Sequence, residues 1–374
     1  MHHAADIHIH SCFSMASSPR MLPGEILAGS RIKGISVIGT GDILHPKWRK
    51  MWLEQPVPDD ILVIPTTEVE GLKRVHHLIV LPDFDAAADL AERFSGSSKN
   101  IRSNGRPQVK LPGDEILRQV HDVGGIGGPA HAFTPYTSVY AAFDSLASCY
   151  GDEQVDLLEL GLSADSSYGA GILELDSIPF LTNSDAHSPE PAKLGRECTI
   201  LNLNSFSVKG VMNAISSGSI VMNIGFFPEE GKYNQTACSR CFRHYSLEDA
   251  TNLKWRCPDD DGRIKKGVKD RARSLSSGIV SPRPQYLHLI PLIEIISRIL
   301  NTSGPTVRRC RELYDRCIQA FGDEITILTQ TNQEEIREIS PILSDAIMAF
   351  RRGEIVLHPG GGGRYGSFDI PGFQ

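Results

Sequence analysis

Three short segments constrain this chain more than anything else in it: Asp6-Ile7-His8-Ile9-His10, Gly39-Thr40-Gly41-Asp42 and Ser184-Asp185-Ala186-His187. Side chains alternate across a strand, so a His-x-His pair places both rings on one face. Imidazoles and carboxylates gathered at strand ends are what a cluster of divalent metals requires, and such clusters activate water and neutralise phosphate oxygens. Around these segments, residues 1 to 225 alternate short apolar runs with helical stretches. Ile35 to Gly39, Ile61 to Pro65, His77 to Leu81 and Asp156 to Leu160 read as buried strands, and Pro23 to Lys33 and Pro112 to Val123 as helices. Such alternation predicts an α/β fold with a parallel sheet, open or closed into a barrel, and active residues at the carboxyl ends of its strands.

A length of 374 residues exceeds one ordinary core and predicts two or three domains. The boundaries fall at 1–225, 226–282 and 283–374. The first unit is the α/β body; the second holds a cysteine cluster and a basic stretch. The third carries a helical pattern (Leu289, Leu292, Ile293, Ile296, Leu300; then Val307 to Phe321) and ends in a Gly360–Gly363 run read as a flexible tail. No run of eighteen apolar residues and no secretory leader pattern is present, and the grouped cysteines fit a reducing cytoplasm better than a disulfide framework. The net charge of −7 hides an asymmetry. From Lys232 to Pro284 there are 12 Lys and Arg against 6 Asp and Glu, and elsewhere 26 against 39. A basic segment beside a carboxylate-using body suits an enzyme with a polyanionic substrate.

The candidate ligands of the first unit are His8, His10, Asp42, Glu68, His77, His131, Asp185 and His187, enough for two or three divalent ions (Mg, Mn or Zn) once water fills the open positions. Asp185 is placed to bridge metals, and His187 or His131 to protonate a leaving group. His76 points to the face opposite His77 and is set aside. In the second unit Cys238, Cys241 and Cys257 have zinc-ribbon spacing, with Asp260 or His244 as the fourth ligand of one structural zinc. Trp48, Tyr136, Arg196, Lys265 and Lys266 are weaker candidates for substrate contact.

The first unit resembles the polymerase-and-histidinol-phosphatase (PHP) metallophosphoesterases. The whole chain resembles more closely the endonuclease Q family of DNA-repair nucleases. The matching strings include Ala5 to Ser11, His45-Pro46-Lys47-Trp48, His131 to Pro135, Leu158 to Asp165 and Thr182 to Pro189. Beyond the first unit they continue with Phe227 to Tyr233, Ile264 to Val268 and His288 to Leu292. The resemblance implies a distorted β/α barrel with a trinuclear metal site, followed by a small zinc-ribbon-like module and a helical C-terminal domain. It implies nicking of DNA 5′ of uracil, hypoxanthine, xanthine or an abasic site, with Asp185 needed for activity. Two departures stand out. Asp260 replaces a Cys of the family pattern, and no His follows shortly after His10. The tail Phe368 to Gln374 holds an aromatic pair without a clear sliding-clamp motif. Two other readings remain: a PHP-type phosphomonoesterase for small substrates, and a non-catalytic zinc-ribbon nucleic-acid-binding protein.

Overall fold

The computed structural model describes residues 1–373; Gln374, the end of the tail considered for clamp binding, lies outside the described residues. A six-stranded sheet in the order β13-β10-β9-β1-β2-β3 forms the largest wall. It is built from β1 (His2–Asp6), β2 (Val37–Gly39), β3 (Leu62–Ile64), β9 (Cys198–Asn202), β10 (Ile220–Gly225) and β13 (Gln285–His288). Pairs β1–β2, β2–β3 and β10–β13 are parallel, whereas β9 runs antiparallel to both β1 and β10. A second sheet, β4 (Thr66–Glu70), β5 (His76–Val80) and β6 (Ile126–Pro129), is antiparallel throughout. The third is the short parallel pair β7 (Leu158–Glu159) and β8 (Phe180–Leu181).

The parallel sheet expected from the alternation is therefore only partly found, and no closed barrel forms among the described residues. Two features account for this. Residues 71–75 link β4 to β5, far too short for a parallel crossover, so these strands must form a hairpin. Strands of two or three residues, as in β7 and β8, cannot carry a continuous ladder around a ring. Central strands are nonetheless apolar on both faces, with Val37 and Ile38 fully buried, as a sheet covered on two sides demands.

The chain from 283 onward does not stand apart. Strand β13 extends the first sheet, and the helices Leu292–Ile299, Arg308–Phe321, Glu324–Thr329, Gln333–Ile339 and Pro341–Arg351 bury Ile293, Ile296, Tyr314, Ile327 and Ile347 in one core with Ile26, Ile38 and Ile224. The Gly360–Gly363 run, expected as a loose tail, is docked. Gln235 N donates to Gly360 O (3.0 Å), Gly360 N to Glu229 O (2.8 Å) and Gly363 N to Lys232 O (2.9 Å). Glycine is required there because a Cβ on Gly362 would stand 2.1 Å from the Cys238 carbonyl oxygen, and its φ is +67°. No helix is long and apolar enough to cross a membrane among the described residues.

Candidate metal centre and the cavities around it

His8 and His10 follow directly on β1, which a parallel bridge from Ile9 to Ala186 continues toward the segment of Asp185. Both rings are fully buried, and each is oriented by a carboxylate behind it. His8 Nδ1 lies 2.9 Å from both oxygens of Glu159, and His10 Nδ1 lies 3.1 Å from Asp42 Oδ1. The Nε2 atoms therefore face forward, toward Asp185 Oδ1, at 3.7 Å from His8 and 3.1 Å from His10. His8 Nε2, His10 Nε2 and Asp185 Oδ1 are all buried without a hydrogen-bond partner. Three orphaned donor-type atoms converging within 4.8 Å of one another, each imidazole backed by a carboxylate, fit a divalent cation.

A second group adjoins the first. Glu68 Oε1 lies 2.7 Å from His76 Nδ1 and 2.8 Å from His131 Nε2. Its Oε2 accepts from Arg106 Nη1 at 3.0 Å and faces His10 Nε2 at 3.5 Å, so one carboxylate joins the two groups. The electrostatics show which charge the site favours. Burial alone would lower both imidazoles, yet Glu159 with Asp185 pushes His8 up to about 10, and Asp42 with Asp185 pushes His10 up to about 9. Burial would raise the Asp185 carboxyl, yet His10 and His8 hold it well below the usual carboxylate range. A buried group this rich in carboxylates favours positive charge.

The remaining sequence candidates divide. Asp42 is present but saturated: besides His10 it accepts from Ser11 N (2.6 Å), Ser11 Oγ (2.6 Å) and Ser14 Oγ (2.8 Å), so it orients His10. His187 stands beside the cluster, its ring 4.3 Å from that of His10 and its Nδ1 3.1 Å from the Asp185 carbonyl oxygen. His77 is a correction. It pairs across the hairpin with Val69, whereas His76 pairs with Glu70 and so shares the face of Glu68. His77 points the other way, 2.9 Å from Tyr150 OH, where burial pushes its imidazole down to about 3. Trp48 is a second correction. It is fully buried and donates to the Thr40 and Gly41 carbonyls (3.0 and 2.7 Å), bracing the loop of Asp42 from the core.

Sequence reasoning passed over Glu159, His76 and Arg106. A Glu inside the apolar run Asp156 to Leu160 was a signal for the first, because a lone buried carboxylate needs partners. The choice of face on β5 depends on its register with β4, which the sequence does not display. Arg106 comes from a long loop with no local signature.

The centre opens on a cavity of about 410 Å³ walled by Asp185, His187, Arg106, Arg196 and, at its outer side, Tyr233 and Tyr365. Arg196 is held by its Nε bond to the Ser184 carbonyl (3.0 Å). Thr134 and Tyr136 are shared with a neighbouring cavity of about 560 Å³, which Trp255, Arg263, Lys265 and Lys266 line. Lys265 Nζ lies 4.9 Å from the centre of the Tyr136 ring and Lys266 Nζ 5.8 Å from Trp255, and neither ammonium has a carboxylate partner among the described residues. The small sheet β11 (Ala237–Cys238) and β12 (Ile264–Lys265) supports this wall.

The same sheet carries the cysteine cluster. Cys238, Cys241, Cys257 and Asp260 bring their ligand atoms within 4.8 Å of one another. Cys241 and Cys257 have their sulfurs 3.6 Å apart, and Cys238 Sγ lies 3.3 Å from Asp260 Oδ1. His244, the other candidate for the fourth position, is outside this group.

An α/β body whose strand ends gather imidazoles and carboxylates beside a basic, aromatic-lined cavity has the donor set of a metal-dependent hydrolase. Comparison with known proteins identifies the family. The crystal structure of the lesion-specific endonuclease PfuEndoQ from Pyrococcus furiosus superposes with a TM-score of 0.94 at 40% identity, covering 100% of this chain and 96% of that one. A crystal structure of endonuclease Q with a 27-mer duplex carrying an abasic lesion at the active site gives 0.95 at 40% identity, covering 100% and 97%. The chain belongs to the endonuclease Q family. A family profile described as the MJ0043 C-terminal domain matches residues 291–354. The uncharacterized protein MJ0043 of Methanocaldococcus jannaschii is 40% identical over 254 residues, 66% of this chain; the match spans only 32% of that longer protein.

Proposed function

We propose that this chain is a metal-dependent DNA-repair endonuclease that hydrolyses the phosphodiester 5′ of a deaminated base or an abasic site. The observation that carries the reading is full-length similarity to endonuclease Q joined to a metal-type centre that opens on a basic cavity of nucleotide size. A damaged or mismatched base leaves the stack at least cost, so a cavity admitting one everted nucleotide selects for lesions. Two or three divalent ions (Mg, Mn or Zn), held by His8 and His10 with Asp185 and by Glu68 with His76 and His131, would supply acidified water and neutralise phosphate charge.

The chain's own residues do the rest. Arg106 and Arg196 line the cavity and receive the phosphate oxygens. Glu159 and Asp42 fix the two forward-facing imidazoles and keep their Nδ1 atoms engaged. His187, tied through Nδ1 to the Asp185 carbonyl and kept neutral by burial, presents Nε2 as a base that takes the proton of the attacking water, and the leaving oxygen is protonated from solvent as the P–O bond breaks. Lys265, Lys266 and Tyr136 face the flanking strand.

The test is a labelled duplex with one deoxyuridine, deoxyinosine or abasic site, incubated with Mg or Mn beside an undamaged control. A single nick 5′ of the lesion, absent with chelator, is the expected result. Release of phosphate from small esters without any lesion-dependent cut would move the assignment to a phosphomonoesterase.

The module is proposed to hold one structural zinc through Cys238, Cys241, Cys257 and Asp260. Metal analysis of the purified chain should find one zinc that Cys257→Ser removes, while the ions of the first centre stay bound. Equal zinc content in the two proteins would show that the cluster is vacant.

A further inference from the structure

The Gly360–Gly363 run is the sequence motif that the reaction above leaves unused. It forms a strap across residues 229–238, and its anchoring is tight on both sides of one side chain. Gly363 N donates to Lys232 O (2.9 Å) and Gly366 N to Glu230 O (3.0 Å), which fixes Tyr365 between them. The Tyr365 ring stands at the mouth of the cavity that holds the metal-facing residues, and it is 62% exposed. Lys232 Nζ lies 5.3 Å from the Tyr233 ring and 5.6 Å from the Tyr365 ring, so one ammonium sits between two aromatic faces. Tyr233 in turn meets Tyr136 edge-on at 5.4 Å. A large ring held out in solvent at a site mouth, on a rigid backbone and beside a cation, suits an unstacked nucleobase. Every base offers a π face, and the ammonium offsets its phosphate.

We propose that Tyr365, delivered to the site by the C-terminal strap, stacks on the undamaged base next to the lesion on the strand that is cut. The proposal rests on the nuclease reading and adds a contact with undamaged sequence to it. The inner cavity of about 410 Å³ accommodates one everted nucleotide, so a ring at its mouth meets the neighbour that enters behind it.

Steady-state nicking by the full chain with Mn, on duplexes carrying either deoxyuridine or an abasic site, tests this. Tyr365→Ala should raise KM about tenfold on both substrates and leave kcat within about twofold, since stacking on a base is worth roughly a decade in affinity. Tyr365→Phe should restore the wild-type KM. Gly362→Ala, which displaces the strap at the Cys238 carbonyl, should copy Tyr365→Ala. An unchanged KM in Tyr365→Ala, or a loss confined to the deoxyuridine substrate, would overturn the proposal while wild-type nicking keeps the nuclease reading intact. Wild-type KM in Gly362→Ala would overturn the role of the strap. Absence of nicking by the wild type would remove the nuclease reading itself.

Discussion

Asp185→Asn should lower the single-turnover rate of nicking by about a thousandfold or more while changing affinity for lesion DNA by no more than a few fold. The magnitude follows from Lewis-acid stabilisation worth several kcal/mol, with each ~1.4 kcal/mol a decade of rate. Asparagine is the better probe than alanine because Asp185 has φ +47°, a left-handed conformation that Asn tolerates and Ala resists. The side chain keeps its size and its place beside His8 and His10, and only the anionic oxygen is lost. Affinity should change little, since Arg106, Arg196, Lys265 and Lys266, the cations proposed to meet the DNA backbone, are untouched. His187→Ala offers a graded comparison, with an expected loss of about a hundredfold or more from one proton-transfer group. Rapid-mixing cleavage and fluorescence anisotropy on the same duplex read the two quantities. Nicking by Asp185→Asn at near wild-type rate would refute the grouping of Asp185 with His8 and His10 as ligands.

What could be read from the sequence divides along the length scale of the interaction involved. The helix Pro23–Lys33 is found with the bounds expected, because Pro23 opens it and Gly34, at φ +82°, closes it. The strands around Val37, Val63 and Ile79 are visible as apolar runs; the first two ladders are two residues shorter than the runs, and the third has the expected length but begins one residue earlier. Sheet order was not visible. Whether β9 lies antiparallel between β1 and its near neighbour β10 depends on the pairing of His2 with Asn202, far apart in the chain, and nothing local in Cys198–Asn202 encodes it. The same division holds at the centre. His8 and His10, or Asp185 and His187, lie close in the chain and advertise themselves. Glu159 meets His8 across 151 positions, and Arg106 meets Glu68 across 38. The glycine run was misread for a related reason. A run of small residues signals freedom only where nothing approaches it, and here the backbone of residues 229–238 does.

Removing the Glu324 carboxylate should cost about 3 to 5 kcal/mol of stability, the range for breaking a buried ion pair on one side. Lys33 and Glu324 are each only 3% exposed, and they join the helix Pro23–Lys33 to the C-terminal helices. The pair is fully bonded. Lys33 Nζ also donates to the Pro191 carbonyl (2.9 Å), while Glu324 accepts from Leu292 N (3.1 Å) and from Tyr314 OH (2.8 Å). Glu324→Ala therefore strands an ammonium, an amide and a phenol together in the core that the first sheet shares with the C-terminal helices. Lys33→Met combined with Glu324→Met should recover the part of the loss that comes from the stranded ammonium, while Leu292 N and Tyr314 OH stay without their acceptor and keep the rest. Denaturant titrations of the wild type and the two variants give the comparison. Since Pro191 lies only four residues beyond His187, the single variant should also loosen the Asp185–His187 loop and weaken metal retention beyond what stability alone explains. A Glu324→Ala protein as stable as the wild type would mean that the C-terminal helices unfold independently of the sheet they cover, and that the pair holds nothing together.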